Sequence, residues 1–318
     1  MKKNIILFFL ILSCLSFSSC SHNNKSQDYV YKNITIKNGE KLVQGKEYEV
    51  NYRIDHPSNK QYSISVQYQQ EKINNFQILS YKLDKIDSIH FAAKIKILPN
   101  TSFMTFSLYL PKGELIDISK KIPVYKNSNQ LEYGANGALL TNADKSSYLK
   151  YFYDERKLYP DNLAIYATRW YYEIGAQLIN KDSVLDQIQY LEKNYNAHTT
   201  LPLLQIIAYT INYDKTKIDE AIQNIPKVKF DKSLCNWELS SLLNDILFGN
   251  DSLHPEQTRL IREQLIQNNP YSFYTHSLIN MGVLWNNKNI DSNISINVIN
   301  KVIDHKPNIL NPYITKGI

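Results

Sequence analysis

Cysteine is scarce in this chain, with three residues in 318, at positions 14, 20 and 235. Beyond position 20 only Cys235 remains, which excludes an internal disulfide framework and a Cys-x-x-Cys redox pair from the body of the chain. Cys235 lies in an apolar stretch beside Trp237, a setting that predicts a buried, inert thiol. Glycine is also sparse, nine in all. None falls in Gly-x-Ser-x-Gly, in a phosphate-cradling loop or in Gly-x-Gly-x-x-Gly, so those nucleophile and nucleotide signatures are missing. Seven histidines stand apart at 22, 56, 90, 198, 254, 276 and 305. They form no His-Glu-x-x-His and no i, i+4 pair, whereas zinc needs converging ligands. The adjacent acids Asp154-Glu155 and Asp219-Glu220 diverge on a helix and cannot share a substrate; a carboxylate pair assembled from distant positions stays open. No Lys/Arg block occurs, which argues against a nucleic-acid partner. The expectation is therefore no metal, no cofactor and no catalytic set, leaning away from an enzyme.

The N-terminus carries the strongest signal. Lys2 and Lys3 precede the unbroken apolar run Ile5 to Leu12, and Leu15-Ser16-Phe17-Ser18-Ser19 leads into Cys20. A positive start, a short apolar core and small residues before a cut describe a secretory signal. The run is too short for a bilayer, which takes about 20 residues. Phe17-Ser18-Ser19-Cys20 resembles the bacterial lipobox, in which the cysteine is lipidated and becomes the first residue. Residues 1–19 are then expected to be a removable signal, and Cys20 the lipid attachment site. Residues 20–28 would be a polar, flexible tether. The implied location is the cell envelope, and Ser21 resembles the outer-membrane sorting default; the leaflet is left open.

Charge and periodicity organise the rest. The formal net charge is +6, of which Lys2 and Lys3 supply two units. Residues 21–130 carry six more basic than acidic side chains, and residues 131–318 two more acidic than basic. A mildly basic front part is compatible with an anionic membrane or glycan surface. Residues 29–126 alternate apolar and polar in runs such as Tyr48/Val50/Tyr52/Ile54, Tyr62/Ile64/Val66/Tyr68, Ile89/Phe91/Ala93/Ile95/Ile97 and Met104/Phe106/Leu108/Leu110. Period two marks strands with one buried face. Asn38-Gly39, His56-Pro57-Ser58-Asn59, Pro99-Asn100-Thr101 and Pro111-Lys112-Gly113 supply the turns. About seven short strands at this spacing predict an antiparallel immunoglobulin-like β-sandwich.

After Asn127-Ser128-Asn129 the pattern changes. Residues 127–144 read as a linker and 145–318 as an all-α domain. Leu163, Ala167, Trp170, Ile174 and Leu178 share a helical face, as do Val184, Ile188 and Leu191, and later Tyr274, Leu278, Met281 and Trp285. Asp182 and Ser183 sit where an N-cap belongs, and Pro255 and Pro312 at first-turn positions. First helices are expected near 161, 201, 233, 272 and 312, and second helices near 183, 217, 256 and 293. That spacing of roughly 32 to 40 residues matches helical-hairpin repeats, so the array looks tetratricopeptide-like. Its last turn at Asn311-Pro312 is too short to cover the apolar stripe of Ile299, Val302 and Ile303, which predicts an uncapped contact surface.

Two local features carry binding expectations. Aromatic side chains crowd between Tyr148 and Tyr172, and Tyr166, Trp170 and Tyr171 are candidates for stacking on a sugar or peptide, as against packing at the seam between sheet and helices. Asp87-Ser88-Ile89, Asp182-Ser183-Val184 and Asp251-Ser252-Leu253 resemble the acceptor triplet of a bacterial O-glycosylation system, making Ser88, Ser183 and Ser252 candidate modification sites.

The acylated cysteine, the β domain and the paired helices opening with Tyr159-Pro160-Asp161-Asn162-Leu163-Ala164-Ile165-Tyr166 resemble the N-terminal part of exported thioredoxin-like lipoproteins. In that family a thioredoxin domain with Cys-x-x-Cys follows, and this chain has no such pair, so the redox activity carries over to no residue here. What the resemblance implies is the scaffold. The leading expectation is a membrane-tethered, non-enzymatic binding or scaffold protein taking a protein or peptide partner on its helical array. The alternatives are an accessory or truncated member of that oxidoreductase group and a glycan-binding surface lipoprotein.

Overall fold

The computed structural model describes residues 28–57, 61–109, 115–225, 231–249, 255–280 and 292–305. The signal segment, Cys20, Ser252, Met281, Trp285 and Asn311-Pro312 lie outside the described residues. An antiparallel-rich β region comes first and a helical region follows.

The first sheet joins β1 (Tyr29–Tyr31), β2 (Ile34–Ile36), β4 (Glu47–Arg53), β8 (His90–Lys96) and β7 (Asp84–Lys85) in that order. The second has the order β12 (Gln130–Leu131), β11 (Ile122–Asn127), β9 (Phe103–Tyr109), β5 (Ser63–Gln70) and β6 (Asn75–Lys82). Strand β10 (Leu115–Ile118) pairs with β9, and β3 (Leu42–Val43) runs parallel to β11. The period-two runs become β4, β5, β8 and β9. In β5, Ile64, Val66 and Tyr68 stand opposite Leu108, Phe106 and Met104 of β9. All six are buried, in one core with Ile34, Ile36, Val50 and Tyr52 of the first sheet. Burying each such side chain contributes roughly 1.5–3 kcal/mol relative to leaving it exposed. Asn38 and Asn100 turn the chain with φ of 55° and 56°, the left-handed conformation that asparagine tolerates.

Ten helices are described: α1 (Ala135–Thr141), α2 (Tyr148–Leu158), α3 (Ala164–Gly175), α4 (Lys181–Asn194), α5 (Leu201–Ile211), α6 (Lys215–Ile222), α7 (Trp237–Gly249), α8 (Pro255–Asn268), α9 (Phe273–Asn280) and α10 (Ser292–His305). From α3 onward their starts fall near the expected positions, and Pro255 opens α8. Helices α3, α5, α7 and α9 touch in succession, but α3 also packs on α7. In a linear array each repeat touches only its neighbours, so this layer folds back on itself. The cap of α4 is Asn180, whose Oδ1 accepts the Ser183 backbone N–H at 3.0 Å; it lies upstream of the Asp182 and Ser183 expected for that role. Leu178 falls beyond the end of α3 and is exposed. Ile299 and Val302 of α10 are buried, so they offer no open stripe.

The segment 127–144 is not a spacer. It forms β12 and α1, and Tyr133, Ala135, Asn136, Ala138 and Leu140 are buried. Small side chains let α1 lie close between β11 and α3, and exposure within 127–144 is limited to the turn at Asn127–Asn129 and to Asn142 and Asp144 after α1.

Candidate functional site

The expected stacking surface is part of the core. Trp170 has no exposed surface and Tyr166 is only 6% exposed. Trp170 Nε1 donates to Gln187 Oε1 of α4 at 3.1 Å, satisfying its one donor. Tyr166 meets Phe152 of α2 edge-on at 5.0 Å between ring centres, and Tyr171, half-buried, meets Trp237 in the same way at 5.4 Å. Enclosed as they are, Tyr166 and Trp170 cannot stack on an external sugar; they join α2, α3 and α4, while half-buried Tyr171 packs on α7.

Aromatic surface lies one layer further out. Tyr153 and Tyr190 are 60% and 50% exposed. Between α2 and α4, the Arg156 guanidinium sits 5.4 Å from the Tyr166 ring centre and 5.3 Å from that of Tyr195, and its Nη2 donates to the Tyr195 hydroxyl at 2.7 Å.

Carboxylates gather instead where sheet meets helices. Glu71 follows β5 in a short 3-10 turn and is 2% exposed. Its Oε1 accepts from Asn236 Nδ2 at 3.1 Å, and Asn236 also caps α7 by accepting the Leu239 N–H at 2.9 Å. Its Oε2 has no hydrogen-bond partner. Burial, with Glu238 and Glu155 close by, pushes Glu71 well above the ordinary carboxylate range, and Lys121 offsets only part of this. Glu155 of α2 is fully buried. It accepts from Gly134 N at 2.7 Å, Asn162 Nδ2 at 2.7 Å and Asn136 Nδ2 at 3.1 Å. Glu238 pairs with Lys121, whose Nζ lies 4.9 Å from the Phe103 ring centre and 4.7 Å from that of Trp237.

The same seam holds further cross-links. Asn74 Nδ2 donates to Asn269 Oδ1 at 3.1 Å, and Gln69 Nε2 donates to the Cys235 carbonyl. Phe76 of β6 packs on Phe273 and His276 of α9 and joins the helical core. Gly134, at φ 82°, makes the closest approach: a Cβ there would lie 2.8 Å from Glu71 Cδ. Side chains that separately resemble catalytic acids are thus engaged in holding two layers together, with backbone and amide donors satisfying most of their oxygens.

The remaining expected sites are dispersed. Cys235 is buried in the 3-10 turn ahead of α7. Ser88 is exposed in the turn between β7 and β8, where Asp87 Oδ1 accepts the N–H groups of Ile89 and His90 at 2.9 and 2.8 Å. Ser183 is half-buried and its Oγ accepts from Gln187 Nε2 at 2.8 Å. Among the described residues, no three His, Cys, Asp or Glu side chains are placed to hold a metal ion.

One feature had no counterpart among the expected sites. An open depression of about 530 Å³ lies on the β region, lined by Lys37, Asn38, Lys41, Lys46, Glu47 and Tyr48 among others. It adjoins the point where the described chain begins, because Asp28 Oδ1 accepts the Asn38 N–H at 2.8 Å.

No family model, curated protein or solved structure matches this chain.

Proposed function

We propose that this chain is a lipoprotein of the cell envelope, tethered through acyl chains on Cys20, that acts as a non-enzymatic scaffold or binding protein. The observation that carries the proposal is Phe17-Ser18-Ser19-Cys20 after a short apolar run, followed by the polar stretch Ser21 to Gln27. Two or three acyl chains, at roughly 0.8 kcal/mol per buried CH₂, hold a protein firmly to a bilayer. Among the described residues no helix is long and apolar enough to cross a membrane. In this reading the β region is an immunoglobulin-like module next to the membrane, and the hairpins α3–α10 are a folded-back tetratricopeptide-like array presenting a surface to a protein or peptide. The buried seam supports it by tying the two parts together through side-chain contacts, a property that suits a scaffold.

A second reading, glycan binding, is favoured by one observation: Tyr153 and Tyr190 are exposed beside the Arg156–Tyr195 pair. This is a different set from Tyr166, Trp170 and Tyr171. Fractionation of cells expressing wild type and Cys20→Ala tests the main proposal. Wild type is expected with the membranes and the variant in the soluble fraction; a variant that still sediments with lipid refutes the anchor.

A further inference from the structure

The point of attachment and the charge of the molecule coincide. Asp28 lies eight positions after Cys20, so the fold stands no more than about 28 Å from its anchor at full extension. The excess positive charge lies in residues 21–130 and the excess negative charge in 131–318. A tethered body with this polarity turns its basic end toward an anionic surface, an effect that reaches about 8 Å at physiological salt.

The β1–β2 edge has the composition for such a contact. Val30, on the outer face of β1, is 62% exposed. Next to it the Tyr31 ring has Lys32 Nζ 5.4 Å and Lys120 Nζ 5.7 Å from its centre. Ile118, two residues before Lys120, is 50% exposed. At the other end of the hairpin, beside Asp28, Lys41 and Lys46 line the open depression. Lys41 donates to the Ser128 carbonyl at 3.4 Å and lies 5.6 Å from the Tyr125 ring centre. Of the acids on this side, Glu49 is paired with Lys37 at 2.5 Å, and Glu47 sits across the strand register from Lys96. Exposed aliphatic residues beside tyrosine and lysine are the mixture that settles at a membrane interface, the rings at headgroup depth and the ammonium groups among the phosphates.

We propose that the β1–β2 edge, with Val30, Tyr31, Lys32, Lys41, Lys46 and Lys120, lies against the anionic phospholipid headgroups of the membrane that holds the acyl chains. The partner is the lipid surface itself. The contact fixes the orientation of the protein and turns the helical layer away from the bilayer. It rests on the reading of Cys20 as the acylated residue.

The test uses the chain 20–318 carrying Cys20→Ser, so that no acyl chain contributes. Its flotation with phosphatidylglycerol-containing vesicles and with pure phosphatidylcholine vesicles is compared. Salt-sensitive binding to the anionic vesicles alone is expected. Each of the pairs Lys32→Gln/Lys120→Gln and Lys41→Gln/Lys46→Gln should lower it roughly thirtyfold at low salt, from about 1 kcal/mol per lysine. The control pair Lys157→Gln/Lys193→Gln, at exposed positions of α2 and α4, should leave it unchanged. Absence of binding to anionic vesicles, or equal loss from the control pair, overturns the proposal. Failure of the anchor reading is seen separately, as an unmodified Cys20 in the natural protein.

Discussion

Replacing Gly134 by alanine strikes the seam at its tightest point. Gly134 adopts φ 82°, where an L side chain costs roughly 1–2 kcal/mol. The new methyl would also lie 2.8 Å from Glu71 Cδ and 3.2 Å from Ser102 Oγ. Glu71 must then move, and its bond to Asn236 breaks inside a closed environment, which costs about 1–3 kcal/mol more. The sum is about 3 kcal/mol, or roughly 6–12 °C in melting temperature for a chain of this size. Both layers meet at Glu71, so the loss should not be confined to one of them. Tryptophan fluorescence reports the helical region, where Trp170 and Trp237 lie, and hydrogen exchange of the β4 and β5 amides reports the sheets. Both should shift together in Gly134→Ala. A loss below 1 kcal/mol, or a helical transition that moves while the sheet amides keep their protection, refutes a shared seam.

Trp170→Ala should cost about 3–5 kcal/mol, as expected for a fully buried indole, in urea unfolding without any ligand; a loss under 1 kcal/mol would return Trp170 to the surface. Glu71 sets a pH dependence of definite sign. Its folded-state pKa is raised above 4.5 by burial and by Glu238 and Glu155, so its stabilising contribution is complete below pH 4.5 and is lost as pH rises through the folded-state value. Glu71→Gln, which mimics the protonated acid, should therefore be more stable than wild type at neutral pH and show a flatter decline as pH rises above 4.5 in chemical denaturation. A Glu71→Gln protein with the wild-type slope would contradict this. Exchanging Asn236 for alanine removes both the Glu71 contact and the α7 cap and should cost about 2 kcal/mol, measured the same way; no change would show that neither bond matters.

The strands were legible because one face is wet. In β4, β5, β8 and β9 the alternation survives from sequence to structure, and the helices α3 to α10 begin near the expected positions because proline and polar caps interrupt apolar faces. The seam was not legible, because its partners lie far apart in the chain: Glu71 and Asn236 are 165 residues apart. One signal was present. At the end of β5, Gln69, Gln70 and Glu71 follow an apolar alternation and are all buried, so a polar run occupies what should be core. Gly134 to Ala138 fall in the span expected to be a linker because the periodicity changes there, but small residues permit close packing, and here they admit Glu71 and Glu155. Aromatic crowding from Tyr148 to Tyr172 has two readings in sequence, ligand platform and seam. Only burial separates them, and it assigns Tyr166 and Trp170 to the interior.

The N-terminal lipid anchor on Cys20 is tested most directly by the intact mass of the protein purified from membranes in detergent. The predicted result is a chain beginning at Cys20, heavier than the bare polypeptide by a diacylglyceryl group with or without a third acyl chain, with the added mass confined to the peptide containing Cys20. An uncut chain beginning at Met1, or a processed chain with an unmodified Cys20, would contradict it.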